Sequence, residues 1–298
     1  MRRLIFILIC IVWLAASCSP LASDARQPDS AVLASTTFLA DITRNVAGNR
    51  TTVDSLLPAG TDPHSYQPTP QDIAKIERSK LLIVNGAKYE RFLDALLKNV
   101  GGERTVVVAA ADVGSEKDAL NGQGVDPHLW LDPNLVVGYV ENIRAALTAF
   151  DPGGAAVYQS NAKRYVAQLK ELDGWIKTQV GQIPLNKRLL VTNHEAFGYF
   201  AKRYGFKVVG AVIPSFSGNA APSAQQMANL IDEIRKLNAP AVFLDTADND
   251  ALAQQIAAET NVTVINDLHL ESLTEGAPAA TYLDMLKYDV SKIVAALK

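Results

Sequence analysis

Four histidines occur in 298 residues, and two of them stand in near-copies of one phrase: Thr61-Asp62-Pro63-His64-Ser65-Tyr66 and Val125-Asp126-Pro127-His128-Leu129-Trp130. Proline holds φ near about −65° and removes a backbone donor, so Asp-Pro-His is a stiff turn that presents its imidazole in a set direction. Two rigid imidazoles point to a shared target, and the commonest is a metal ion. A third, His194, follows an expected strand in Thr192-Asn193-His194-Glu195-Ala196-Phe197-Gly198. A lone loop histidine is more often merely solvated. Three at matching strand-end positions reverse that expectation.

Zinc-assisted hydrolysis is the competing chemistry for such residues. Glu195 would be its candidate base, but the metalloprotease helix requires His-Glu-x-x-His and position 198 is glycine. No Ser-His-Asp pattern, Gly-rich phosphate loop or Cys-His pair occurs, and an enzyme is not expected.

The elements that must position these residues follow an α/β rhythm. β-rich runs at 31–35, 52–56, 81–84 and 105–108 alternate with helical segments, and the rhythm restarts at 188–191, 207–212, 241–244 and 262–265. Thr69-Pro70 and Asp132-Pro133 pair a helix N-cap with proline at the first helical position. Both follow an Asp-Pro-His phrase, which places His64 and His128 on loops at strand ends, where open α/β sheets carry ligands. Ser223 and Gln226 form a capping box for a helix to Leu237, and a last helix is expected over 279–297.

Between the two halves, Asp151-Pro152 reads as a further cap. Apolar side chains then recur at Tyr158, Ala162, Tyr165, Leu169, Leu172 and Ile176, a 4-3-4-3-4 spacing that predicts one long amphipathic helix to Gly181. About thirty helical residues would span about 45 Å, the length of a domain. The expected architecture is therefore α/β: two lobes with mostly parallel sheets joined by one long rigid helix, with lobes at 31–150 and 183–298 and the linker helix at 151–182.

The N-terminus reads as an export signal over residues 1–17. Arg2 and Arg3 precede an apolar run from Leu4 to Ala16, too short to span a bilayer by itself. The run ends in Leu14-Ala15-Ala16-Ser17-Cys18, similar to a bacterial lipobox, although Ala15 stands where leucine is usual. Cys10 would be removed with the signal, leaving Cys18 without a partner in its own chain, so lipidation of Cys18 is expected. Residues 18–30 then form the lipidated terminus and a polar tether. The net charge of −3, with no basic stripe, argues against nucleic acid as a partner.

Taken together, Gly60 to Tyr66, then Asp126-Pro127-His128-Leu129-Trp130-Leu131-Asp132-Pro133, then His194-Glu195-Ala196-Phe197-Gly198-Tyr199-Phe200 resemble the signatures of the metal-binding solute-binding proteins of ABC transporters, the cluster that handles zinc and manganese. The similarity extends to Val84-Asn85-Gly86 and Thr281-Tyr282-Leu283-Asp284-Met285, nearly the whole exported chain. It implies a single divalent ion held between the lobes and delivered to a membrane permease. Residue by residue, it implies His64, His128 and His194 as ligands. The family's fourth ligand, usually Asp, falls on Glu271 in Glu271-Ser272-Leu273, a departure of one methylene. His269, two residues earlier, would point the same way in extended backbone, but a solvated or supporting role is expected for it. Three neutral imidazoles and one carboxylate suit zinc; manganese and iron are the alternatives. The resemblance implies an exported cell-envelope lipoprotein, on the outer side of the cytoplasmic membrane or in the periplasm, and a monomer is expected. A surface adhesin is the remaining alternative of another class.

Overall fold

A computed structural model describes residues 31–114, 125–216 and 221–298. The export signal, Cys18 and the tether lie outside the described residues. Among the described residues, no helix is long and apolar enough to cross a membrane.

The first lobe runs β1 (Val32–Ala34), α1 (Thr37–Ala47), β2 (Val53–Ser55), α2 (Pro70–Arg78), β3 (Leu81–Val84), α3 (Arg91–Asn99), β4 (Thr105–Val108) and α4 (Pro133–Phe150). After α5 (Ala155–Val180), the second runs β5 (Leu189–Thr192), α6 (Gly198–Tyr204), β6 (Lys207–Ala211), α7 (Ala224–Leu237), β7 (Ala241–Asp245), α8 (Ala251–Thr260), β8 (Thr263–Leu268) and α9 (Tyr282–Leu297). Every strand pairing is parallel, in the orders β2-β1-β3-β4 and β6-β5-β7-β8. Both sheets thus reverse direction beside their first strand. Such a switch point opens a crevice at the carboxyl ends of the strands.

The expected caps are largely present. Thr69 accepts the Asp72 N–H and forms a full capping box, Asp132 accepts the Asn134 N–H, and Ser223 and Gln226 cap each other. Asp151 is a correction. Its carboxylate pairs with Arg50 (2.7 Å) and accepts the Tyr158 hydroxyl, and a 3-10 turn over Pro152–Gly154 intervenes, so α5 begins later than the spacing suggested. The last helix likewise starts at Tyr282 rather than 279, because Thr281 supplies the cap.

The predicted stripe on α5 holds: Tyr158, Ala162, Tyr165, Leu169, Leu172 and Ile176 are all buried. They pack into one apolar core that also takes in α1, α4 and α9 and the inner faces of both sheets. Full burial of each large side chain contributes roughly 1.5–3 kcal/mol. Two smaller clusters fill the outer faces, one beneath α2 and α3, the other beneath α7 and α8. The shared helical layer joins the lobes as one packed body, not as two bodies on a free hinge.

Candidate metal centre

Four of the residues singled out in the sequence meet at the carboxyl ends of the strands. His64 lies on the loop after β2, His128 on the segment after β4, His194 two residues past β5, and Glu271 just past β8. The His64 Nε2, His128 Nε2 and His194 Nε2 atoms lie 2.9, 3.3 and 3.2 Å from Glu271 Oε1. His128 Nε2 and His194 Nε2 are 3.3 Å apart, and one donor atom from each of the four residues falls within 4.8 Å of every other. A tetrahedral ion with bonds of ~2.0–2.1 Å separates its ligand atoms by about 3.3 Å. Four of the six separations, those to Glu271 and that between His128 and His194, lie near this value, and the other two are within 4.8 Å.

His269 is not part of it. Its ring lies 5.3 Å from that of Tyr288, on the α9 side. Glu195 is not part of the cluster either; it lines a cavity of about 300 Å³ with Asp126 and β6.

The repeated Asp-Pro-His phrase has a clear local geometry. Asp62 accepts the His64 N–H at 2.7 Å, and Asp126 accepts the His128 N–H at 2.9 Å. Each aspartate thus closes an Asx turn around the stiff proline. Asp126 also meets His128 Nδ1 at 2.7 Å, which fixes the tautomer and leaves Nε2 free to face the centre. The second turn is held from both sides: Asn85 donates to the Pro127 carbonyl at 3.0 Å, and Tyr199 of the second lobe donates to the Asp126 carbonyl. Asn85 is set by Glu90, a buried acid that accepts its N–H at 2.6 Å and the Ser35 hydroxyl at 2.6 Å.

Electrostatics follow from burial and pairing. Burial alone would raise the Glu271 carboxyl, but the His64 charge and hydrogen bonds from three imidazoles hold it well below the usual carboxylate range. Burial opposes a charge on His128, yet hydrogen bonds to Asp126 and Glu271 push it up to about 9. His194 is raised against the same burial penalty, chiefly by Glu271. Asp245 goes the other way: burial and then the Glu271 charge lift it to about 7. Tyr89 and Trp130 pack against the imidazoles, Tyr89 T-shaped to His64 at 5.1 Å and Trp130 at 5.1 Å from His128, and Phe38 stacks behind Trp130. Such packing excludes water and keeps the local dielectric low.

The loop that carries Glu271 belongs to the second lobe by sequence but is fastened to the first. Trp130 donates to the Leu270 carbonyl at 2.7 Å, Gly60 N–H to Ser272 Oγ at 2.7 Å, and Leu273 N–H to Thr37 Oγ1 at 2.8 Å. Neither this attachment nor the roles of Asp62, Asp126 and Asp245 follow from the sequence alone. The signal for the first two was the aspartate in each repeated phrase. For Asp245 it was an acid at a strand end like those that carry the imidazoles.

Two parallel-sheet lobes that enclose a buried imidazole and carboxylate cluster define a binding protein built for a cation. Comparison with known proteins gives the same class. Residues 32–296 match the family described as "Zinc-uptake complex component A periplasmic". The chain is 33% identical to the manganese-binding lipoprotein MntA of Halalkalibacterium halodurans, over 98% of this chain and 97% of that one. It is 34% identical to the iron-binding protein YfeA of Yersinia pestis, over 88% and 84%. The solved periplasmic zinc binding protein TroA of Treponema pallidum superposes with a TM-score of 0.84 at 26% identity, covering 91% of this chain and 99% of that one. The chain belongs to this family of extracytoplasmic substrate-binding proteins of metal ABC transporters, and it is not an enzyme.

Proposed function

We propose that this protein captures one divalent ion, zinc in preference to manganese, through His64, His128, His194 and Glu271, and hands it to a membrane permease. The observation that carries this reading is the convergence of three imidazole Nε2 atoms on one buried carboxylate oxygen. Three neutral nitrogen donors and one anionic oxygen suit zinc, whereas manganese favours oxygen and sits low in the Irving–Williams order. The chain divides into lobes at 31–150 and 183–298 about a linker segment at 151–182, whose helix is α5. Residues 1–17 direct export, and a lipid on Cys18 tethers the body to the membrane, a reading supported by the lipoprotein names of relatives.

A manganese carrier is the second reading, favoured by the manganese-binding name of a relative 33% identical along nearly its full length. Competition titration of the exported domain, residues 19–298, against a chelator of known affinity separates the two. One tight equivalent of zinc that outcompetes manganese and collapses in His194→Ala supports the zinc reading. Preference for manganese reverses the choice of ion, and no tight stoichiometric binding of either rejects these ligands.

A further inference from the structure

Three successive backbone N–H groups just past β8 are taken up by two buried acids. His269 N–H donates to Asp289 Oδ1 at 2.8 Å. Leu270 N–H and Glu271 N–H both donate to Asp245 Oδ2, the second at 3.3 Å. Asp245 ends β7, and its other oxygen accepts the Ala247 N–H at 2.8 Å. Asp289 sits in the middle of α9, 2% exposed, and its Oδ2 has no hydrogen-bond partner among the described residues.

The placement of Asp289 is costly. It interrupts the apolar face of α9 formed by Tyr282, Met285, Leu286, Val290 and Ile293, where a leucine would contribute burial without desolvating an acid. Burial and the nearby Asp245 and Asp267 charges raise the Asp289 carboxyl well above its usual range, and Glu271 adds to burial in raising Asp245. What the two acids provide is acceptor geometry. β8 is an edge strand, and its ladder with β7 ends at the Asp245–Leu268 pair, one residue short of 269–271. α9 packs against α5 and α1, so Asp289 ties this segment to the helical layer that joins the lobes.

We propose that Asp289 and Asp245 are positioning residues that fix the backbone of 269–271 and thereby hold the Glu271 carboxylate among the three imidazoles; the proposal rests on Glu271 being a metal ligand. A merely structural role would weaken the fold without regard to Glu271. A positioning role acts through it.

The test is a double-mutant cycle on the exported domain, with zinc affinity read by chelator competition and thermal stability read in parallel. Asp289→Leu is expected to raise the zinc Kd roughly 10-fold, the lower end of the range for losing a partner bonded directly to a metal ligand, because Asp289 acts through the His269 amide two residues from Glu271. Asp289→Asn, which keeps an oxygen in place for the His269 N–H, is expected to restore binding to within about threefold. In a Glu271→Ala background, Asp289→Leu is expected to add less than about threefold, the non-additivity of residues acting as one unit. Should the leucine variant fail to fold, Asp289→Ser, too short to reach the amide, carries the same expectations. An equal loss in both backgrounds, or none in the wild-type background, would overturn the positioning role alone. An unchanged affinity in Glu271→Ala would remove the ligand assignment, and the proposal with it.

Discussion

Trp130 donates its indole N–H to the carbonyl of Leu270 at 2.7 Å, so the ring two residues beyond one candidate ligand, His128, grips the backbone one residue before another, Glu271. The Trp130 carbonyl in turn accepts the Tyr282 hydroxyl at 2.6 Å, which links both to α9. Trp130→Phe keeps most of the aromatic volume and leaves the Leu270 carbonyl unpaired. A buried polar group in that state costs about 1–3 kcal/mol. The expected result is that loss in chemical denaturation together with a weaker zinc affinity in the folded protein. Unchanged affinity would mean that the contact serves the fold alone.

Asp126 contacts both the N–H and the Nδ1 of His128. Asp126→Ala removes the group that selects the tautomer, and metal affinity is expected to fall roughly 10–100-fold with near-UV circular dichroism retained. Asp126→Asn, which keeps an acceptor but no charge, should fall between the two proteins.

Gly86 has φ +91°, and a Cβ there would lie 2.3 Å from Val108 Cγ1. Gly86→Ala therefore strains the turn between β3 and Tyr89 as well as crowding β4. A loss of about 1–3 kcal/mol in urea unfolding is expected. Wild-type stability in this variant would contradict the geometry of the turn.

Asp173 on α5 supplies a pH dependence away from the candidate centre. Burial would raise its carboxyl, but hydrogen bonds from Arg203, Lys177 and Tyr204 hold it down at about 2. A carboxylate depressed in the folded state stabilises above its unfolded pKa and loses that contribution as pH falls through the folded value. Asp173→Asn is thus expected to cost about 1–2 kcal/mol at pH 7, allowing for the partly exposed Arg203. The gap from wild type should narrow below about pH 4 and close only below about pH 2. A gap of constant size down to pH 2 would mean that packing, not charge, is what Asp173 contributes.

Much of this organisation was legible in the sequence because local chemistry and tertiary structure agree. The α5 stripe from Tyr158 to Ile176 is a pure periodicity signal, and the burial of α5 follows it. The Thr69, Asp132 and Ser223 caps are likewise local devices. Asp151 misled because an acid before proline is an equally good partner for a distant cation, and Arg50, 101 residues away in sequence, is its partner in the fold. The three imidazoles stood out by spacing and context, but Glu271 emerged only through resemblance to a family, since nothing near it in sequence marks it as a ligand. Asp289 left a fainter mark, an acid in the apolar register of α9. What could not be read was its partner: the amide it accepts lies 20 residues earlier, and only the fold brings the two together.

X-ray absorption of the exported domain loaded with one equivalent of zinc tests the central assignment most directly. The account predicts four light donors at ~2.0–2.1 Å, with outer-shell scattering from three imidazoles that drops to two in His194→Ala. A spectrum dominated by oxygen, or one that His194→Ala leaves unchanged, would contradict it.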